Sequence, residues 1–323
     1  LCGSLAAISA AKAGDLSVTG GVDMSWISYE KQDTGNPMGI GSNLTFSGSG
    51  ELDNGWSVAL SVANVNANAY SNTNVTVGVP GLGDFRISQG VSGSGIDRMD
   101  DKTPTVWEEA DGAGLSAGIT KVAGTSAGST IEVTPTDYMP AGLTARVALS
   151  KDSDSGQAND KAASGASGAL GSGWDLTLEA GSDLTGVDGL TLYAGMSEYE
   201  QYQNATTHSG DGSERTYGIK YATGAFTVGY QMSDEETGET SITDYDNTMY
   251  SVTFSVNDDL SIGYNHIESD QTGGTLDAEA TSYQAAYTMG GATLRISDVS
   301  VDNSGGTAGN SEDRTEISLL MAF

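Results

Sequence analysis

The sequence predicts an all-β fold, a sixteen-stranded antiparallel transmembrane β-barrel, and three observations predict it. Apolar and polar residues alternate with period two in segment after segment, the signature of strands with two unlike faces. The connections between these segments alternate strictly between one short set and one mostly long set. The aromatic residues fall into two groups, one at each end of the strands. No run of eighteen apolar residues exists in the chain, so no helix would span a bilayer. A chain that crosses lipid with strands must close into a barrel, because open sheet edges are not tolerated there.

Composition agrees. Of 323 residues 45 are glycine and 37% are hydrophobic, against typical values of about 7% and about 45–50%. Such a balance suits a barrel with a wet, polar interior. Two rivals are weaker: recurrent alternation argues against a disordered acidic chain, and the lack of a fixed repeat argues against a solenoid. The formal net charge of −30 lacks the basic footprint of a nucleic-acid binder and is assigned to solvated loops.

Residues 1–13 read as the apolar core and cleavage end of a truncated secretory signal, with Ala11-x-Ala13 as the small-residue cleavage pattern. The predicted mature chain is then a single barrel domain, residues 14–323. It has no cysteine, because Cys2 is the only one and falls in the signal. Acylation of Cys2 as a lipoprotein anchor is the alternative.

The first strand carries Leu16, Val18, Val22, Met24 and Trp26 on one parity, with Ser17, Thr19, Asp23 and Ser25 on the other. Ile40, Leu44, Phe46 and Leu52 mark the second, and Asp53-Asn54-Gly55 is a tight-turn signal. Trp56–Val62 and Val75–Val79 follow, then the turn Pro80-Gly81-Leu82-Gly83 and a fifth strand from Phe85. Residues 91–127 break the pattern with a long stretch lacking clean alternation, a length that is usually functional. Alternation resumes with Ile131 and Val133, then Leu143–Leu149, Trp174–Leu178, Leu190–Met196, Tyr217–Tyr221, Phe226–Tyr230, Tyr250–Val256, Leu260–Tyr264, Tyr283–Met289 and Leu294–Ile296. The last strand sets Ile317, Leu319, Met321 and Phe323 against Arg314, Glu316 and Ser318, and is the natural partner of the first.

The short connections are residues 53–55, 80–83, 135–141, 183–189, 223–225, 257–259 and 290–291; the others are 30–38, 64–73, 91–127, 151–173, 200–213, 233–245, 269–277 and 301–313. Short turns on the periplasmic side and long external loops produce this asymmetry in an even-stranded membrane barrel. Trp56, Phe85, Tyr221, Phe226, Tyr287 and Phe323 adjoin the short turns. Trp26, Tyr29, Trp174, Tyr217, Tyr230, Tyr250, Tyr264 and Tyr283 lie towards the long loops. Two belts are expected at two membrane interfaces.

The run Val77-Gly78-Val79-Pro80-Gly81-Leu82-Gly83-Asp84-Phe85-Arg86-Ile87-Ser88-Gln89-Gly90, the long loop behind it and the terminal Phe323 resemble the general outer-membrane porins of Gram-negative bacteria, most of all the alphaproteobacterial type. The resemblance implies a passive diffusion channel, a homotrimer packed through the outer face of the first strands, and a third external loop (91–127) folded into the lumen as its constriction. It also implies that the outer-membrane assembly machinery reads Phe323. One departure stands out: that family opposes an acidic loop with a dense arginine cluster, and arginine is sparse here.

Parity places Arg86, Glu132, Arg146, Asp175, Glu179, Lys220, Arg295 and Arg314 on the pore wall, since a basic side chain in hydrocarbon costs about 2–4 kcal/mol at the midplane. The long loop offers Asp97, Asp100, Asp101, Glu108, Glu109 and Asp111 against Arg98 and Lys102. Excess carboxylates there predict a mild cation preference. Asp97, Asp100 and Asp101 are also candidate oxygen ligands for structural Ca²⁺, although their spacing lacks the full EF-hand pattern; no other cofactor is expected. No nucleophile is paired with His208 or His266, which read as surface histidines, so the chain is not expected to be an enzyme. The competing functions are a substrate-specific channel, with Trp107 and Met99 as a binding strip, and a non-channel acidic surface adhesin.

Overall fold

The structure, a computed structural model, describes residues 12–31, 33–65, 72–89, 93–111, 117–126, 129–151, 153, 170–201, 210–238 and 244–322. Its strands are β1 (Lys12–Tyr29), β2 (Met38–Glu51), β3 (Ser57–Val65), β4 (Asn72–Val79), β5 (Gly83–Gln89), β6 (Ser129–Thr134), β7 (Leu143–Ser150) and β8 (Leu170–Ala180), followed by β9 (Leu190–Gln201), β10 (Gly212–Thr223), β11 (Phe226–Glu236), β12 (Tyr245–Ser255), β13 (Leu260–Gln271), β14 (Ala278–Met289), β15 (Ala292–Asp302) and β16 (Glu312–Ala322). Each pairs with its neighbours in sequence, and β1 pairs antiparallel with β16 to close the barrel. The closing register sets Met24 opposite Leu319 and Trp26 opposite Ile317, so the apolar parities of the two strands share one face.

That face points outward. Leu16 and Ile40 are 74% and 72% exposed, and Leu60, Ile131, Tyr217, Val228, Ile262 and Ile296 are exposed as well. The opposite parity carries buried Ser251, Asn265, Ser282, Gln284, Ser297 and Ser318. A water-soluble fold would bury the first set and expose the second; the inversion is that of a barrel with lipid outside and a polar interior.

The short turns form as their residues require. Gly55 has φ 82°, its N–H donates to the Leu52 carbonyl at 2.8 Å, and the Trp56 N–H donates to Asn54 Oδ1 at 3.1 Å. A left-handed position there favours glycine over any side chain with a Cβ. Two of the short connections contain a single helical turn, Thr136–Tyr138 and Ser182–Thr185.

Strands β8, β11 and β13 extend three or more residues further towards the long loops than alternation predicts, to Leu170, Glu236 and Gln271. Beyond the aromatic belt the sheet stands in water, and backbone pairing no longer requires apolar side chains. At the other end of the chain, β1 pairs Lys12 with Glu51 and Ala13 with Gly50, so the ladder reaches into the segment assigned to the signal. The expected external belt takes shape where Tyr230 faces Tyr250 in register, Tyr250 and Tyr264 ring centroids lie 6.2 Å apart and Tyr264 and Tyr283 5.1 Å apart. His266 is not a surface histidine: it is buried, 4.8 Å from the Tyr250 ring, with Nδ1 2.8 Å from Thr281 Oγ1. His208 and Phe323 lie outside the described residues.

Candidate functional site: the loop between β5 and β6

Residues 93–111 and 117–126 touch inward-parity side chains on strand after strand. The outgoing leg starts at β5, where Arg86 Nη1 donates to the Gly93 carbonyl at 2.7 Å. A 3₁₀ turn, Gly95–Met99, follows, with Ile96 and Met99 fully buried. The Gly95 N–H donates to Glu132 Oε2 at 2.8 Å and the Ile96 N–H to Asp175 Oδ2 at 3.2 Å. Gln231 on β11 donates through Nε2 to the carbonyls of Met99 and Asp100, at 2.7 and 3.1 Å. Further on, Gln284 on β14 accepts from the N–H groups of Val106 and Trp107 and donates to the Glu108 carbonyl, which Asn265 on β13 also reaches at 3.2 Å.

The returning leg retraces this path nearer the long-loop rim. Gly305 donates to the Ala117 carbonyl at 3.0 Å, Gln271 to Gly118 at 2.7 Å and Asn247 to Thr120 at 2.8 Å. Glu214 on β10 accepts from the N–H groups of Ala123 and Gly124 at 2.8 and 2.7 Å, and Asp175 on β8 from Thr125 Oγ1 at 2.9 Å. An apolar patch completes the attachment: Ala110 and Ala117 pack with Ala280, Val299 and Val301 of β14 and β15, flanked by Tyr29 and Ile119.

Three charge groups result. The first is basic. Arg98 pairs with Glu132 at 2.6 Å and Lys102 with Glu179 at 2.6 Å, while Arg86 and Arg146 both sense Arg98 and Glu132, and Lys220 senses Glu179. Arginine is sparse in the chain but gathered here. Arg98 and Lys102, the two bases of the loop named in the sequence analysis, therefore face the wall carboxylates Glu132 and Glu179. The second group is acidic, with Lys121, which the sequence reading passed over, as its counter-charge, 2.6 Å from Asp101 and 3.4 Å from Asp111. Burial, then the neighbouring Asp101 and Asp97, pushes the Asp100 carboxyl up to about 8. Burial likewise raises Asp97, Glu109 and Asp111 above the usual carboxylate range. Burial works against the Lys121 ammonium, but Asp111 and Asp101 outweigh it and hold its proton more firmly than usual. The third group joins the loop to the barrel seam. Arg314 lies 2.7 Å from Glu316 and 4.0 Å from Glu108, and Arg295 pairs with Asp23 while sitting 4.6 Å over the Trp107 ring. Burial and the nearby Glu316 push Glu108 up to about 7.

Not every wall residue lines open space. Glu132, Asp175 and Arg314 are buried; the first two accept from loop N–H groups and Arg314 pairs with Glu316. Asp101 and Glu108 are the freer carboxylates, with side chains 45% and 37% exposed. Buried Met99 cannot serve as a binding strip with Trp107. Among the described residues, no three His, Cys, Asp or Glu side chains are grouped to hold a metal ion. Asp97 takes hydrogen bonds from Gly93 and Ser126, and Asp101 takes Lys121, instead of converging with Asp100 on a cation.

A closed sixteen-stranded barrel with an apolar outside and a polar, charged inside defines a pore-forming protein of the outer membrane. The model of the Gram-negative porin family matches residues 2–322, and the chain belongs to that family. A search of curated proteins by sequence found no match. Solved structures similar to the chain include the anion-selective porin from Comamonas acidovorans, at 14% identity and TM-score 0.68, covering 96% of this chain and 100% of that one. Salmonella typhi OmpF in complex with daunomycin gives 11%, 0.69, 96% and 98%. Vibrio cholerae OmpT expressed in the outer membrane gives 14%, 0.67, 97% and 98%. At these identities the likeness is one of fold.

Proposed function

We propose that this outer-membrane porin is a general diffusion channel for small hydrophilic solutes and ions, mildly cation-preferring, with residues 91–127 as its constriction. The carrying observation is the circuit of hydrogen bonds from the 93–126 segment to inward side chains of β5, β6, β8 and β10–β14, which fits a loop laid along the inside of the barrel. The lumen thereby holds the loop carboxylates together with the basic group of Arg86, Arg98, Lys102, Arg146 and Lys220, Asp97 lying within electrostatic reach of Arg98. Opposed fixed charges give a field across the passage, and the excess of acids favours cations.

The working unit is a homotrimer joined through the outer faces of the first strands. Residues 1–13 are removed on export, and Phe323 is the signal to the assembly machinery. Planar-bilayer recording tests the proposal. In a salt gradient the reversal potential takes the sign of cation preference, and the current closes in three equal steps. Clear anion selectivity refutes the charge argument, and absence of current refutes the channel.

A further inference from the structure

Inward side chains differ between the two halves of the barrel. On β8–β13, Thr177, Ser197, Thr216, Gln231, Ser251 and Asn265 are buried, and Gln231 and Asn265 bond the 93–126 segment directly. On β1 and β2, Ser17, Thr19, Asn43 and Ser49 have the same inward parity yet are exposed. With residues 91–127 read as a lumen loop, the open part of the passage therefore lies against β1–β4. That wall is uncharged. Residues 17–25, 39–49, 57–63 and 74–78 contain a single charged side chain, Asp23, which is taken by Arg295 and by the hydroxyl of Ser318. The connection 64–73 between β3 and β4 carries no charge in its sequence either. The basic group, by contrast, belongs to β5, β7, β10 and the loop.

Register turns this wall into a track. Ser17 faces Ser47, Ser47 faces Ser61 and Ser61 faces Asn74, so one hydroxyl or amide per strand crosses four strands side by side. Thr19 and Thr45 form a second such pair two residues on. Strands stand about 4.8 Å apart, close to the reach of one sugar ring. A hydroxyl both donates and accepts, so each position can stand in for a water on a solute that carries hydroxyls of its own. An ion gains less there, because no fixed charge replaces its hydration, and it follows the charged side of the passage. A neutral polyol has no charge to hold it in that field and exchanges its waters for the track.

We infer that the inner wall of β1–β4 is a binding track for neutral polyhydroxylated solutes of sugar size, an inference that rests on the reading of the barrel as a channel with residues 91–127 in its lumen. Planar-bilayer recording of the purified protein tests it, with lactose, its anionic derivative lactobionate and a polyethylene glycol of matched hydrodynamic size added in turn. Lactose should lower the current saturably, and polyethylene glycol only in proportion to its concentration. Lactobionate should need a half-saturating concentration about tenfold higher than lactose. Ser17→Ala with Ser47→Ala and Ser61→Ala should raise the half-saturating lactose concentration about tenfold, in a barrel that keeps its resistance to heat. Ser47→Asp, which sets a charge in the middle of the row, should also weaken lactose while strengthening cation preference. A current that lactose lowers only in proportion to concentration, or a triple variant that saturates as wild type does, overturns the track. Lactobionate that saturates as lactose does overturns the selection for neutral solutes. Absence of current in salt alone is the failure of the channel reading itself and removes the inference with it.

Discussion

Asp175→Ala should free both ends of the β5–β6 loop at once. Its carboxylate is fully buried on β8 and accepts from the Ile96 N–H at 3.2 Å on the outgoing leg and from Thr125 Oγ1 at 2.9 Å on the returning leg, with the Thr125 N–H at 3.3 Å as well. Two glycines let the chain come this close. A Cβ added to Gly95 would stand 1.7 Å from Asp175 Oδ2, and one added to Gly124 2.7 Å from Oδ1. A hydrogen bond to a charged acceptor contributes about 1.5–3 kcal/mol. Because these share one carboxylate they are not additive, and about 3–5 kcal/mol is the scale for removing one partner of a buried charged arrangement. At about 1.4 kcal/mol per factor of ten, the detached fraction of the loop rises several-hundredfold. Single-channel recording should then show noisier open current with added high-conductance levels, while the barrel keeps its resistance to heat. Asp175→Asn, which keeps one acceptor oxygen but turns an amide N–H₂ towards N–H donors, should fall between. Gly95→Ala should resemble Asp175→Ala, its φ of 59° and the lack of space both opposing the substitution. Wild-type current level and noise in Asp175→Ala would refute the claim that this carboxylate holds the loop.

Other outcomes follow from the charge groups. Cation preference should rise from about pH 6 to about pH 9, because a carboxyl with a raised pKa is neutral below that value and anionic above it, and Asp100 and Glu108 are pushed to about 8 and about 7; reversal potentials that stay flat across this window would count against it. Lys121→Gln removes the counter-charge of Asp101 and Asp111 and should strengthen cation preference, so a shift towards anions would contradict the acidic grouping. Deleting Phe323 should lower the yield of assembled protein more than the conductance of what assembles, measured as heat-modifiable species against bilayer current; a normal yield would remove its role as a signal.

The barrel was legible in the sequence because each strand solves the same local problem. Leu260, Ile262 and Tyr264 must face lipid while Ser261, Gly263 and Asn265 face the interior, so parity carries the fold one strand at a time. The strict alternation of connection lengths then fixed the count. Where lipid ends, the constraint ends too. Glu235, Glu236, Ser269 and Gln271 pair as strand although no apolar pattern marks them, and the boundaries there slipped by a few residues.

The loop's course was less legible, because its attachment is polar and long-range. Only charged wall residues were read as functional, yet Gln231, Asn247, Asn265, Gln271 and Gln284 carry much of the circuit by bonding backbone groups that bury no side-chain charge. A signal was nonetheless present. On β12, β13 and β15, Met249, Ile267, Val299 and Val301 occupy inward parity in a wall that should be wet, and all four are buried. An apolar residue on the wet side of a porin strand calls for a cover, and at β15 that cover is Ala110 and Ala117 of the loop. Breaks in the inward polar pattern therefore map the path of a loop that has no pattern of its own. The pairing of Arg98 and Lys102 with Glu132 and Glu179 lies beyond such a map, because charge sign fixes which partners attract but not which the backbone brings within reach.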